Sequence, residues 1–325
     1  GYNALMASIR VPERVPGKKA AIIGGGPTGI AAAYFLGRAG IEATIFERES
    51  CLGGVPRHVI PAFRIANETI EKDIALMEKY GVDVRCGAPA PSVKELKAMG
   101  YTHILFAVGA WKPGKLDIPG GDAQGVMAGI DFMRQVNGGQ CSKLAGPVVV
   151  IGGGNIAADV ARTAVRCGAE SVDLYCLEGY DEMPMGAEDR GECERDGITI
   201  HAGWGQTEVV TRDGHAAGIR FRKCLRVKDD QGRFAPVFDD NDACEAACAT
   251  VLYCIGQKVD WRQLLTGTAV TFNPNGTAQV DPVTYQTAEP DIFAGGDAVT
   301  GQKFAIDAIA AGKEGAISLH RFVQK

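Results

Sequence analysis

The stretch AAIIGGGPTGIAAAYF, residues 20–35, decides the fold. A short apolar run ends at Gly24, Gly26 and Gly29 follow at the G-x-G-x-x-G spacing, and an Ala-rich helical segment opens behind them. Each glycine has a physical task in that setting. The first permits a tight turn, the second lets the backbone approach a pyrophosphate, and the third lets helix and strand pack closely. The phosphates then sit at a helix N-terminus, where unpaired N–H groups point outward. One such match is weak, but the chain repeats it. VVVIGGGNIAADVART, residues 148–163, carries Gly152, Gly154 and Ala157 in the same strand–turn–helix context. Two units of this kind predict two dinucleotides, and hence electron-transfer chemistry.

Composition agrees with that reading. A chain of 325 residues holds about two domains at roughly 150 residues each. Its 46% hydrophobic and 22% charged residues are those of an ordinary globular protein. A net charge of −5 with no Lys/Arg run argues against a nucleic-acid footprint. The uncharged stretch from Ala20 to Gly37 nears the length of a membrane span. Its three consecutive glycines and Pro27 read instead as a buried strand followed by a helix. No signal peptide is visible, so a cytoplasmic location is expected. The chain opens on Gly1 rather than Met, as a piece of a longer protein would.

The ten cysteines contain no CxxC. Cys244 and Cys248 come nearest, at a spacing that suits neither a zinc ribbon nor an iron–sulfur cluster, so no metal site is expected. Scattered cysteines in a chain of this size argue against a disulfide framework. Most, like Cys254 in VLYCIG, read as buried, reduced small hydrophobes. The paired redox cysteines that disulfide-reducing flavoenzymes place beside their flavin are missing.

The layout is α/β, with two Rossmann-like dinucleotide-binding domains and one inserted into the other. Residues 1–17 form a leading segment in which Pro12 and Pro16 break any helix. The first domain begins at residue 18 and its first part extends to 125. It includes the strand EATIFERE ending near Glu47, helical character over 67–80, a strand at 82–86 and the apolar strand THILFAVGA at 102–110. WKPGKLDIPGGD, residues 111–122, is a Pro/Gly-rich connector. The second domain occupies 126–270. Residues 271–325 return to complete the first, with PDIFAGGDAV as a strand and turn and FAIDAIAAGKEGAISLHRFV as an amphipathic helix.

Glu47 lies about 18 residues beyond Gly29, at the end of the second strand, where an acidic side chain accepts hydrogen bonds from a ribose with free hydroxyls. A solvated charge in the ERES run is the competing reading; the spacing to GGGPTG favours ribose. The adjacent Gly53 and Gly54 read either as a loop or as a place where backbone meets a ring or pyrophosphate.

These pieces carry a resemblance. GGGPTG with Glu47, LGGVPRHVIPAFRI at 52–65, AVGA at 107–110 and LDIPG at 116–120 come in a set order. GGGNIAAD at 152–159, Met183–Pro184, CIG at 254–256 and IFAGGDA at 292–298 follow. From about residue 18 to its end the chain resembles the small (β) subunit of glutamate synthase. It is also similar to the flavin module of dihydropyrimidine dehydrogenase and to selenate reductase subunits. The resemblance implies that the first domain holds FAD. Gly24, Gly26, Pro27, Thr28 and Gly29 would cradle its pyrophosphate, and Glu47 with Arg48 would take its adenosine. Gly53, Gly54, Val55, Arg64, Ala90, Ala107 and Gly109 would line its path. Gly296 and Asp297 would hold its ribityl or pyrophosphate hydroxyls, with a turn role the alternative for Asp297. Phe304, Ala305 and Ile306 would open a helix whose positive end faces the flavin.

The second domain would bind NADH or NADPH through Gly152, Gly154, Asn155, Ile156, Tyr175, Glu178 and Gly256. NADPH-using relatives carry Tyr-Arg-Arg after the second strand, and often another arginine past Met-Pro. Here the segment reads Tyr175, Cys176, Leu177, Glu178, and the later position is Ala187. A hydrogen bond to a charged group contributes about 1.5–3 kcal/mol, so losing two costs about 100-fold or more in affinity. Glu178 would also repel a 2′-phosphate. NADH is therefore expected over NADPH, unless Arg190 or Arg195 folds back onto the phosphate. No catalytic residue is nominated: hydride transfer belongs to the cofactors, and the protein supplies orientation. His58 reads as a structural loop histidine. The resemblance further implies an iron–sulfur domain or subunit as electron acceptor, with no nucleic-acid or membrane partner. A flavin-binding module with a degenerate nicotinamide site is the alternative, and a stand-alone reductase of small acceptors is a narrower one.

Overall fold

The computed structural model describes residues 1–141 and 143–323. They divide into two compact units, Gly1–Lys112 with Gln257–Lys325, and Pro113–Gly256. The second is thus inserted in the chain of the first.

In the first unit five parallel strands lie in the spatial order Ile292–Ala294, His103–Phe106, Lys19–Ile23, Glu42–Glu47, Asp83–Cys86. Strands Lys19–Ile23, His103–Phe106 and Ile292–Ala294 are buried on both faces, which explains why they read as apolar runs, whereas the edge strand Asp83–Cys86 is partly exposed. Along Lys19–Ile23 successive side chains go to opposite faces. Ala20 and Ile22 join Leu36, Ile45 and Leu105 in one core, while Ala21 and Ile23 join Phe46, Leu96 and Phe106 in the other. On the first face helix Pro27–Arg38 packs against the long C-terminal helix Ala305–Val323. Small residues allow the approach: a Cβ on Gly312 would stand 3.0 Å from that of Ala31.

The leading segment carries a short helix, Tyr2–Ser8, that ends before Pro12 and Pro16, so neither proline interrupts it. Past Pro12 the chain is fastened by Arg14. Its guanidinium donates to the carbonyls of Tyr80 and Gly81, both at 2.9 Å, and of Ile41 at 3.2 Å. The first two lie just past helix Asn67–Glu78, where orphan carbonyls and the negative end of the helix dipole favour a cation.

The second unit repeats the plan with the parallel order Val126–Ala128, Thr250–Tyr253, Val148–Ile151, Val172–Cys176, Thr199–Ala202. Helix Asn155–Arg166 follows the second glycine turn. Buried Arg162 ties it to helix Ala187–Arg195 through Glu192 and, at 2.8 Å, Asp196. An antiparallel sheet, Trp204–Arg212, His215–Lys228 and Phe234–Ala247, has no counterpart in the sequence reading. Its Val209, Ile219 and Phe221 cover Val149, Ile151 and Val251.

The ten cysteines are free. Cys167, Cys176, Cys193, Cys224 and Cys248 are buried, whereas Cys51, Cys86, Cys141, Cys244 and Cys254 are only partly so. Among the described residues no group of His, Cys, Asp or Glu is arranged to hold a metal, and no helix is long and apolar enough to cross a membrane.

Candidate dinucleotide sites

In the first unit a cavity of about 570 Å³ opens at the C-terminal ends of the parallel strands, where ligands of open α/β sheets bind. Backbone closeness builds its floor. Gly24, at φ +107°, stands so near Ala107 that a Cβ would lie 2.8 Å from the Ala107 carbonyl carbon. Gly54, at φ +57°, faces Gly26, and a Cβ there would come 2.6 Å from the Gly26 Cα. The two glycine-rich turns therefore meet backbone to backbone, a cradle that any side chain would fill. Gly26 caps helix Pro27–Arg38 without a side-chain hydrogen bond, so the N–H groups of its first turn remain open to an anion.

Glu47 is buried at the edge of this cradle. Its Oε2 accepts the Gly25 N–H at 2.6 Å and its Oε1 the Glu49 N–H at 2.9 Å. Both bonds fix the carboxylate while leaving lone pairs for a ligand. Asp297, the first residue of the short helix Asp297–Thr300 that follows strand Ile292–Ala294, lines the cavity. Burial pushes its carboxyl up to about 6, against a weak lowering by the Lys303 N–H. Arg48 lies over the Trp111 ring, 5.4 Å from its centroid, and both line the cavity.

The cavity brings together Gly24, Gly26, Pro27, Thr28, Glu47, Arg48, Gly54, Val55, Ala90, Ala107, Gly109, Asp297, Phe304 and Ala305. Others stand behind its wall. Gly29 is buried within its helix, Gly53 donates to the Gly25 carbonyl, and Gly296 packs on Thr28. Arg64 is exposed and Ile306 is 69% exposed, both off the lining. His58 approaches the Cys51 carbonyl at 3.4 Å and lies beside Trp111. Trp111, Lys303, Asp260, Arg262, Gln263 and Leu264 also line the cavity and escaped the sequence reading. Trp111 stands two residues past Gly109, a position that was legible. Asp260 and Arg262 carry no motif; they are held there by Trp261, whose Nε1 donates to the Gly276 carbonyl at 2.8 Å.

The second glycine turn has the same construction. Gly152, at φ +137°, would drive a Cβ to 2.6 Å from the Cys254 carbonyl oxygen, as Gly24 would toward Ala107. Gly154 caps helix Asn155–Arg166 without a side chain and has open space around it. Pairing of Ile151 with Tyr175 and of Ile23 with Phe46 puts Cys176, not Glu178, at the position equivalent to Glu47. Glu178 nonetheless reaches the turn: its Oε2 lies 2.7 Å from where a Cβ on Gly153 would stand. Tyr175 is buried, its ring stacked between His201 and Phe221 at 4.2 and 4.0 Å. Ile156 and Asn155 open the helix, and Gly256 ends the segment after strand Thr250–Tyr253 at φ +89°. Arg190 donates to the Met185 carbonyl at 3.3 Å and lies over the Tyr180 ring.

Comparison with known proteins gives these turns a context. Residues 18–312 match the family model described as pyridine nucleotide-disulphide oxidoreductase. The chain is 34% identical over 320 residues to the NADP(+)-dependent formate dehydrogenase subunit beta of Moorella thermoacetica, covering 95% of this chain and 44% of that protein. It is 28% identical to the glutamate synthase [NADPH] small chain of Azospirillum brasilense, covering 97% of this chain and 68% of that one. The chain thus spans less than half of the first relative. Among solved structures, Mycobacterium tuberculosis FprA in complex with NADPH superposes with a TM-score of 0.77 at 17% identity, over 94% of this chain and 84% of that one. That likeness concerns the fold.

Proposed function

Since the chain belongs to the pyridine nucleotide-disulphide oxidoreductase family, whose members are flavin-dependent NAD(P)H oxidoreductases, we propose that it takes hydride from NADH onto FAD and passes the electrons to an iron–sulfur domain or subunit. The observation that carries the FAD assignment is the cradle formed by Gly26 and Gly54 beside Glu47. Bound there, FAD supplies the ring that accepts hydride and releases electrons to the acceptor. The chain's residues do the rest. Open first-turn N–H groups take the pyrophosphate, Glu47 takes the ribose hydroxyls, and Asp297 faces a hydroxylated part of the ligand. Gly152, Gly154 and the helix behind them seat the nicotinamide cofactor.

The preference for NADH departs from the two relatives, whose names are NADP-linked. It rests on Glu178, whose carboxylate beside Gly153 favours free ribose hydroxyls and repels a 2′-phosphate. Arg190 is engaged with Met185 and Tyr180. The iron–sulfur acceptor is supported by the family resemblance and by relatives named as a subunit and as a small chain of larger enzymes. An anaerobic titration of the FAD-loaded protein, followed near 450 nm, tests the reading. NADH should bleach the flavin rapidly and NADPH far more slowly. The reverse order would sink the NADH preference, and bleaching by neither would favour a module with a degenerate nicotinamide site.

A further inference from the structure

The loop between Glu178 and helix Ala187–Arg195 closes on the second glycine turn at both ends. At its start the Glu178 carboxylate stands against Gly153. At its end the Met185 N–H donates to the Gly153 carbonyl at 2.9 Å, and the Gly186 N–H donates to Oδ1 of Asn155 at 3.1 Å. Asn155 is the first residue of its helix but does not cap it; that position belongs to Gly154. Its side chain is spent on the neighbouring loop, and Gly186 is the residue that caps the next helix. Arg190, one turn into that helix, binds back to the Met185 carbonyl. The turn is therefore flanked by two walls. Glu178 forms one, anchored through its carbonyl to the Gly203 N–H at 2.8 Å. Met185–Gly186 forms the other, fastened by Asn155.

We infer that Asn155 is a positioning residue for cofactor discrimination: it fixes the Met185–Gly186 wall and so keeps a bound adenosine ribose pressed toward Glu178. The inference rests on the nicotinamide site proposed above. With the wall slack, the ribose can settle away from the carboxylate. NAD⁺ then loses hydrogen bonds to Glu178, while NADP⁺ is relieved of its repulsion. A residue that merely touched the pyrophosphate would affect both dinucleotides alike, because they share it.

Isothermal titration of the FAD-loaded protein with NAD⁺ and with NADP⁺ separates these cases, since neither reduces the flavin. For Asn155→Ala the NAD⁺ Kd should rise about five-fold, the worth of one hydrogen bond, with NADP⁺ unchanged or tighter. Asn155→Asp keeps the acceptor and should restore the ratio between the two. Gly186→Pro removes the N–H donor at a residue whose φ of −61° already suits proline. It should reproduce the alanine effect and provides the test if Asn155→Ala does not fold. Equal weakening of both dinucleotides, or an unchanged ratio, would overturn the inference. A wild-type preference for NADP⁺ would sink the NADH reading alone, and the role of Asn155 would still be decided by whether its variants move the ratio.

Discussion

The Gly25 N–H donates to Oε2 of Glu47 across 2.6 Å. Strand Glu42–Glu47 is thereby linked to the first glycine turn, and the Glu49 N–H on Oε1 completes the clamp. The carboxylate is held before any ligand arrives. A preorganised acceptor of this kind loses little ordering entropy on binding.

Glu47→Gln should weaken FAD binding by about 10- to 100-fold, the range for hydrogen bonds to a charged partner. Gln keeps the shape but presents an NH₂ group where the backbone N–H groups need an acceptor. Quenching of flavin fluorescence on titration of apoprotein measures this. An unchanged Kd would remove Glu47 from the ribose role.

Glu178→Arg should invert the cofactor preference, raising the NADPH/NADH ratio of reduction constants by about 100-fold or more. The substitution removes a repulsion and adds a charge-assisted bond. Stopped-flow flavin reduction reads the ratio. If both constants fall together with the ratio intact, Glu178 does not face the 2′ position.

Asp297 makes a pH-dependent contribution of unusual sign. Burial raises its folded-state value to about 6 from an ordinary value of 3.8. Between those values the unfolded chain is ionised while the folded one still holds its proton, so this group's contribution falls as pH rises and the cost is full above about pH 6. Asp297→Asn should therefore stabilise the apoprotein at pH 7.5 and have little effect at pH 4. Thermal melts of both proteins across that range give the difference curve. A difference that does not grow with pH would show that the Asp297 carboxyl is better solvated than its place in the cavity implies.

Arg14→Ala should destabilise the first unit by about 1.5–3 kcal/mol, since three backbone carbonyls lose a charged donor. Arg14→Lys should recover only part, because an ammonium cannot reproduce the planar fork. Urea unfolding followed by far-UV circular dichroism reads the effect. Equal stability of wild type and Arg14→Ala would mean that water replaces the guanidinium at no cost.

Much of the molecule was legible because its determinants are local. An apolar run into G-x-G-x-x-G dictates strand, turn and helix from short-range sterics. Two copies therefore announced two α/β units, and the spacing from Gly29 put Glu47 at a strand end. The antiparallel sheet was not legible, since Phe234–Ala247 is largely solvated and carries little apolar periodicity. Its strands exist because Ile219 and Phe221 cover a parallel sheet far off in sequence. Asp260 and Arg262 reach the cavity for a similar reason, through the anchoring of Trp261.

Glu178 shows where the division falls. Sequence alone gave a carboxylate near the end of the strand Val172–Cys176 and no arginine beside it. Strand register puts Cys176, not Glu178, at the position matching Glu47. Only the folded loop, closed on Gly153 and fastened by Asn155, brings that carboxylate back to the turn. Local chain stereochemistry sets the dinucleotide turns, while the charge that faces each turn depends on contacts that exist only once distant segments have packed.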